Sequence, residues 1–157
     1  MTSKTSKLIS AIIICQLVGV IGSFFTKNGV DTWYNTISKP NFTPPNWLFA
    51  PVWIIIFLLM GISLYLIISQ ETDKRMGSAI AIFAVQLILN IGWSFIFFTL
   101  KNPTLAFIEI NLLWLAVFFN ITIFAKINRQ AAFLLIPYLC WLSFAYILNY
   151  TIFILNR

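Results

Sequence analysis

The chain has no histidine, only two cysteines, and charged residues at just 9% of its 157 positions. Each scarcity excludes something. Without histidine there can be no Ser-His-Asp triad, no zinc site that uses imidazole and no histidine-ligated haem. Cys15 and Cys140 lie far apart, each inside an apolar run. They form no CxxC or zinc spacing, report no redox compartment, and read as small buried residues. A soluble domain carries about 25% charged residues, so this chain cannot cover a water-facing surface. Its net charge of +6 is spread two or fewer basic residues at a time, which excludes a nucleic-acid-binding stripe.

What remains is 61% hydrophobic, with mean hydropathy +0.93. Five apolar runs span about residues 8–25, 48–69, 76–100, 104–125 and 131–155. Each is long enough, at about 1.5 Å per residue, to cross a hydrocarbon core of about 30 Å. In lipid the backbone must satisfy its own hydrogen bonds, so such runs are read as helices. None alternates polar and apolar residues as a barrel strand does. Lys4 and Lys7 give the first run a basic front, but its length and the poor cleavage site Thr26-Lys27-Asn28 argue for a helix over a signal peptide. The expected fold is an all-α integral membrane protein, a single domain over residues 1–157 with five transmembrane helices. The links at 70–75, 101–103 and 126–130 are short, forcing sequential helices into antiparallel packing. Asn102-Pro103-Thr104 reads as a turn that opens a helix. The N-terminus and the second and fourth links carry Lys4, Lys7, Lys74, Arg75, Lys126 and Arg129. The other side carries Lys27, Lys39, Lys101 and Arg157. The imbalance favours a cytoplasmic N-terminus.

The connection between the first two helices is different. From Trp33 to Trp53 it is crowded with Trp33, Tyr34, Pro40, Phe42, Pro44, Pro45, Trp47, Phe49 and Pro51. A long ordered loop is usually functional, and its prolines stiffen it. We expect the lid of a pocket for a flat, apolar ligand. Five spans without an internal repeat do not divide into equal inverted halves, which counts against many transporter architectures.

Polar residues inside spans usually face the bundle interior. Gln86, Asn90, Trp93 and Phe97 share one face of the third helix, and Glu109, Ala116 and Asn120 share a stripe of the fourth. Trp141, Ala145 and Leu148, with Asn149 beside them, do so on the fifth. Trp53, Phe57 and Met60–Gly61 line the second, and Gln16, Gly19 and Ser23 the first. Interhelical hydrogen bonds and close approach of small residues account for the last group. Asn90 is read either that way or as a ligand contact beneath the lid. Glu109 is read as an acid near a helix N-terminus or a structural hydrogen-bond partner, since a proton relay would need a partner that the sequence does not offer. Trp33 and Trp47 fit an interfacial belt, and Trp114 fits packing or lipid contact. Trp53 and Trp141 lie on faces with small or polar residues, which leaves room for a ligand.

These residues, in order and spacing, resemble the TspO/MBR family of tryptophan-rich sensory proteins, which includes the translocator protein or peripheral-type benzodiazepine receptor. The resemblance runs through Trp33-Tyr34, Lys39-Pro40, Phe42, Pro44-Pro45, Pro51-Val52-Trp53, Met60-Gly61, Gln86-Leu87, Leu89-Asn90, Trp93-Ser94, Phe97-Phe98, Pro103, Ala106, Glu109, Pro137-Tyr138, Trp141, Phe144-Ala145 and Leu148-Asn149. It implies a five-helix bundle that forms a homodimer in the membrane, here expected to be a prokaryotic cell membrane. It also implies a pocket under the first loop for protoporphyrin IX, haem-like tetrapyrroles, and isoquinoline or benzodiazepine ligands. The implied ligand-binding residues are Tyr34, Pro44, Trp53, Phe57, Asn90, Trp93, Ile96, Trp141, Phe144, Ala145 and Leu148. Light- and oxygen-dependent breakdown of the porphyrin is implied to involve Trp53 and Trp141. Phe57 stands where many members have Tyr, and Ile54 where Thr is common. The cholesterol-type pattern fails, because Arg157 lies too far beyond Leu148 and Tyr150.

Physical chemistry is compatible with such a guest. A porphyrin is an apolar disc that aromatic walls can stack on, with carboxylates that Lys27 or Lys39 could meet. Photodegradation needs an oxidisable indole near the excited macrocycle, not an acid–base pair. No resident cofactor, metal or nucleic acid is expected. The expected partners are the tetrapyrrole or another flat apolar molecule, membrane lipid, and a second copy of the chain. A conventional enzyme is not expected, and a porphyrin or lipid transporter is the alternative.

Overall fold

A computed structural model describes residues 4–70 and 73–157. Residues 1–3, and 71–72 of the second link, lie outside the described residues. The helices are α1 (Lys4–Asp31), α2 (Asn46–Ile68), α3 (Met76–Ser94), α4 (Pro103–Ile127) and α5 (Arg129–Leu155). All five are long and apolar enough to cross a membrane, and the described residues contain no strand. The protein is an integral membrane protein built as a helical bundle.

Local chemistry sets the helix ends. Asn102 caps α4 by accepting from the Leu105 N–H at 2.9 Å, with Pro103 in the first turn. Asn128 ends α4 and caps α5, accepting from the N–H groups of Gln130 (2.9 Å) and Ala131 (3.2 Å). One residue thus serves both helices, and the hairpin must be antiparallel. The helix α1 continues past its apolar run to Asp31. Its last turns are held by packing: a Cβ on Gly29 would lie 2.8 Å from Phe98 Cβ. This shortens the loop after α1 to residues 32–45.

At its far end α3 loosens into a π-helical turn, Phe95–Thr99, with the Leu100 N–H bonded to the Phe95 carbonyl at 3.0 Å. The wider turn rotates the residues that follow it. Phe97 is buried, and both it and Phe98 make ring contacts with the loop after α1.

The helices close into a ring in which α1 packs on α2, α2 on α5, α5 on α4, α4 on α3, and α3 with its π-turn back on α1. A long core runs down the ring through Cys15, Met60, Phe83, Leu113, Phe124 and Tyr138. A smaller cluster of Tyr34, Phe97, Ala106, Leu148 and Ile152 closes the loop end. Gln16 makes the expected interhelical bond, its Nε2 donating to the Ile54 carbonyl at 3.0 Å. Ser23 is exposed, and its hydroxyl bonds within its own helix, donating to the Val20 carbonyl. Trp114 packs, donating from Nε1 to Ser143 Oγ at 2.9 Å.

Candidate functional site

The cap is built from residues 32–45 and the start of α2. Trp33 and Tyr34 open it in a single 3₁₀ turn and tuck inward. Trp33 meets Phe97 edge-on at 5.4 Å, and Tyr34 meets Phe97 at 6.1 Å and Phe98 at 5.8 Å. Burial pushes the Tyr34 phenol up to about 12, so it stays neutral at physiological pH. Lys39 reaches back over this residue, donating from Nζ to the Tyr34 carbonyl at 2.7 Å and lying 4.5 Å from its ring centroid. Its charge is engaged in holding the cap. Asn156, just beyond α5, ties down the other part: it accepts from the Ser38 N–H (3.0 Å) and donates to the Ser38 carbonyl (2.9 Å). Phe42 rests on Phe144 at 6.3 Å and Phe49 on Trp141 at 5.9 Å. The cap is closed at both ends.

Beneath it, side chains occupy the interior. Phe97 stacks on Trp93 at 4.9 Å and 17°. Trp93 donates from Nε1 to Asn149 Oδ1 at 2.9 Å, and Asn149 donates in turn to the Pro103 carbonyl at 3.1 Å. One level deeper, Asn90 donates to the Tyr138 hydroxyl at 3.0 Å. Trp53 stacks on Phe57 (5.5 Å) and meets Tyr138 edge-on (6.0 Å). The residues singled out in the sequence therefore fall into two neighbouring groups. Tyr34, Trp93, Ile96, Phe144 and Leu148 gather around Phe97, while Trp53, Phe57, Trp141 and Ala145 join the long core. Asn90 is buried beside the latter. Pro44 stays half-buried in the cap, outside both groups.

Open volume lies to one side of the cap. A cavity of about 440 Å³ occupies the seam between α2 and α5, lined by Val52, Ile55, Ile56, Leu59, Pro137, Cys140, Trp141 and Phe144. Each helix contributes positions i, i+3, i+4 and i+7, one continuous stripe. The cavity faces outward: Ile55 is 57% exposed, and Cys140, read from the sequence as buried, is exposed here. Of the residues chosen from the sequence, only Trp141 and Phe144 line it. The others on its wall carry no chemical signal. Helical stripes extended from Trp53 and Trp141 reach only Ile56 and Pro137 of them, because most of the wall lies one position round each helix from those stripes.

The α3–α4 seam holds polar groups that the bundle leaves unmatched. Among the described residues, neither polar atom of Gln86, neither carboxylate oxygen of Glu109, nor Asn120 Oδ1 has a hydrogen-bond partner. Asn120 fixes the seam's register through Nδ2, which donates to the Ala79 carbonyl at 3.3 Å. Glu109 faces Gly92, whose Cβ would stand 3.8 Å from Oε1. It lies beyond the first turn of α4, buried and without the structural hydrogen bond expected of it. An unpaired buried amide costs about 1–3 kcal/mol. Gln86→Leu should therefore stabilise the protein by about 1–2 kcal/mol in detergent melts. Destabilisation instead would show that Gln86 serves a partner. Among the described residues, no group of three or more His, Cys, Asp or Glu is placed to hold a metal ion.

Comparison with known proteins gives a family match and full-length relatives. Residues 11–155 match the model of the TspO/MBR family. The chain is 40% identical over 157 residues to the tryptophan-rich protein TspO of Chlorobaculum tepidum, covering 99% of each chain. It is 32% identical over 126 residues to a tryptophan-rich sensory protein of Cereibacter sphaeroides, covering 80% of this chain and 78% of that one. It is 32% identical over 135 residues to the human translocator protein, covering 84% and 79%.

Proposed function

The chain belongs to the TspO/MBR family, and from that membership we propose that it is a sensory or regulatory membrane protein whose guest is a tetrapyrrole such as protoporphyrin IX, or a comparably flat apolar molecule of the isoquinoline or benzodiazepine type. The observation that carries this reading is the α2–α5 cavity. Its volume of about 440 Å³ falls within the range of about 300–1,000 Å³ usual for small-molecule sites. Its lining is apolar, Trp141 and Phe144 offer ring faces, and the cap lies against both through Phe49 and Phe42. An apolar guest dissolved in the bilayer meets this opening directly.

In this proposal the guest first stacks on Trp141 and Phe144. Contact with Tyr34, Pro44, Trp53, Phe57, Asn90, Trp93, Ile96, Ala145 and Leu148 requires the cap rings or Phe97 to turn aside, so deep binding is an induced fit. With Trp93 already bonded to Asn149, and Asn90 to Tyr138, these polar groups orient a guest only by exchanging partners. The two indoles are not equivalent. Trp141 lines the cavity, whereas Trp53 is stacked on Phe57 behind it. Any photochemical electron donation in the resting structure would thus fall to Trp141. A homodimer in a prokaryotic cell membrane belongs to the same proposal.

The test is titration of the purified protein with protoporphyrin IX in the dark and in light, with Trp53→Phe and Trp141→Phe alongside. Saturable quenching of tryptophan fluorescence is expected, with Trp141→Phe slowing photobleaching of bound porphyrin more than Trp53→Phe. Absence of saturable binding would overturn the assignment. Equal bleaching in the wild type and both variants would remove the indole from the chemistry.

A further inference from the structure

We propose that a second site, on the α1–α3 seam at the cap end of the bundle, binds the phosphate headgroup of an anionic phospholipid. The cleft there measures about 190 Å³ and includes Phe24, Asn28, Gly29 and Thr32 on one wall, and Thr99 and Lys101 on the other. It lies where two membrane-spanning helices end, the level at which headgroups sit and long basic side chains snorkel. Its two halves have different chemistry. Phe24 is 72% exposed and presents an apolar ring toward lipid, while Lys101, Thr99 and the Asn28 amide supply a cation and neutral polar groups. Asp31, the acid of this helix end, is not part of the lining. The floor is closed by backbone approach: a Cβ on Gly29 would stand 2.9 Å from the Phe98 carbonyl oxygen.

Lys101 carries the argument furthest. Its φ of 52° makes it the one non-glycine residue with positive φ among the described residues. It follows the π-turn at the position where helices favour glycine, and the Asn102 N–H returns to the Ile96 carbonyl at 3.3 Å to close the turn. A lysine here strains the backbone where glycine would not. Local rules are broken mainly where a side chain serves a function. The function that fits is a fixed cation at the rim of a cleft facing headgroups. The site does not depend on the tetrapyrrole reading, because it lies on a different seam from the α2–α5 cavity.

The experiment is thermal melting of the full chain in detergent, with added phosphatidylglycerol or phosphatidylcholine, for the wild type, Lys101→Gln, Lys101→Gly and Lys27→Gln. Phosphatidylglycerol should raise the wild-type Tm by several degrees more than phosphatidylcholine. Lys101→Gln should lose that difference and Lys27→Gln keep it. Lys101→Gly should melt above the wild type without lipid, through relief of the backbone, yet gain nothing specific from phosphatidylglycerol. Equal responses of the wild type to the two lipids, an undiminished difference in both Lys101 variants, or the same increment from inorganic phosphate alone would overturn the proposal.

Discussion

Gly61→Leu should yield no monodisperse folded protein, and Gly61→Ala should lower the Tm by about 5–10 °C. A Cβ at Gly61 would lie 2.6 Å from Ile12 Cα and 3.1 Å from the Ile12 backbone nitrogen. The obstacle is backbone, so no rotamer change relieves it, and α1 must move away from α2. That seam also carries Ala11, Cys15 and Val18 against Met60 and Leu64, all buried. In lipid, helices gain little from the hydrophobic effect and associate through close packing, so separating them forfeits the main attraction. Overpacking costs about 1–3 kcal/mol or more, and 1 kcal/mol shifts the Tm of a chain this size by about 2–4 °C. The control is Gly77→Ala. Nothing lies within 4 Å of a Cβ there, and alanine is the better helix former by about 1 kcal/mol. Gly77→Ala should melt at or above the wild-type temperature. If Gly61→Ala does the same, the α1–α2 contact is not the close approach described.

The same seam shows how far sequence alone could reach. Hydropathy exposes the spans because an apolar run long enough for the bilayer has few alternatives, and the caps at Asn102 and Asn128 are short-range chemistry. Gly61 could be placed on a face with Trp53, Phe57 and Met60, but not opposite Ile12, since pairing between helices depends on ring order and register. Asn149 illustrates the middle case: its position beside the Trp141 stripe was visible, its bond to Trp93 was not. Phe97 could be aligned with Trp93 at helical spacing. What could not be read was the π-turn that begins two residues before it and brings both Phe97 and Phe98 to the cap. This turn fills the interior under the cap with the protein's own rings, leaving open volume on the α2–α5 seam. The aromatic density of residues 33–53 thus announced a cap, whereas the α2 side of the cavity wall is only Val, Ile and Leu, which look the same in any membrane helix.

Where the guest sits can be decided with a pair of substitutions. Cys140→Trp should weaken protoporphyrin IX binding at least 100-fold, followed by porphyrin absorbance in equilibrium dialysis so that the added indole does not confuse the signal. Cys140 is exposed and lines the cavity, so an indole there enters existing space and leaves the core intact. Stability should change by no more than about 0.5 kcal/mol, as for surface substitutions. Tenfold in affinity is about 1.4 kcal/mol, and the expected loss of about 3 kcal/mol corresponds to denying a disc-shaped molecule most of its stacking on Trp141 and Phe144. Cys140→Ala should bind as the wild type does, because shortening the side chain leaves the walls in place. If Cys140→Trp binds with unchanged affinity, the seam is not the seat, and the guest must displace Phe97 from Trp93 beneath the cap. In that case Phe97→Ala, which opens the interior, should tighten binding, whereas a guest held on the seam would be indifferent to it. The pair of variants therefore assigns the guest to one side or the other of the Trp141 ring, the wall shared by the cavity and the core.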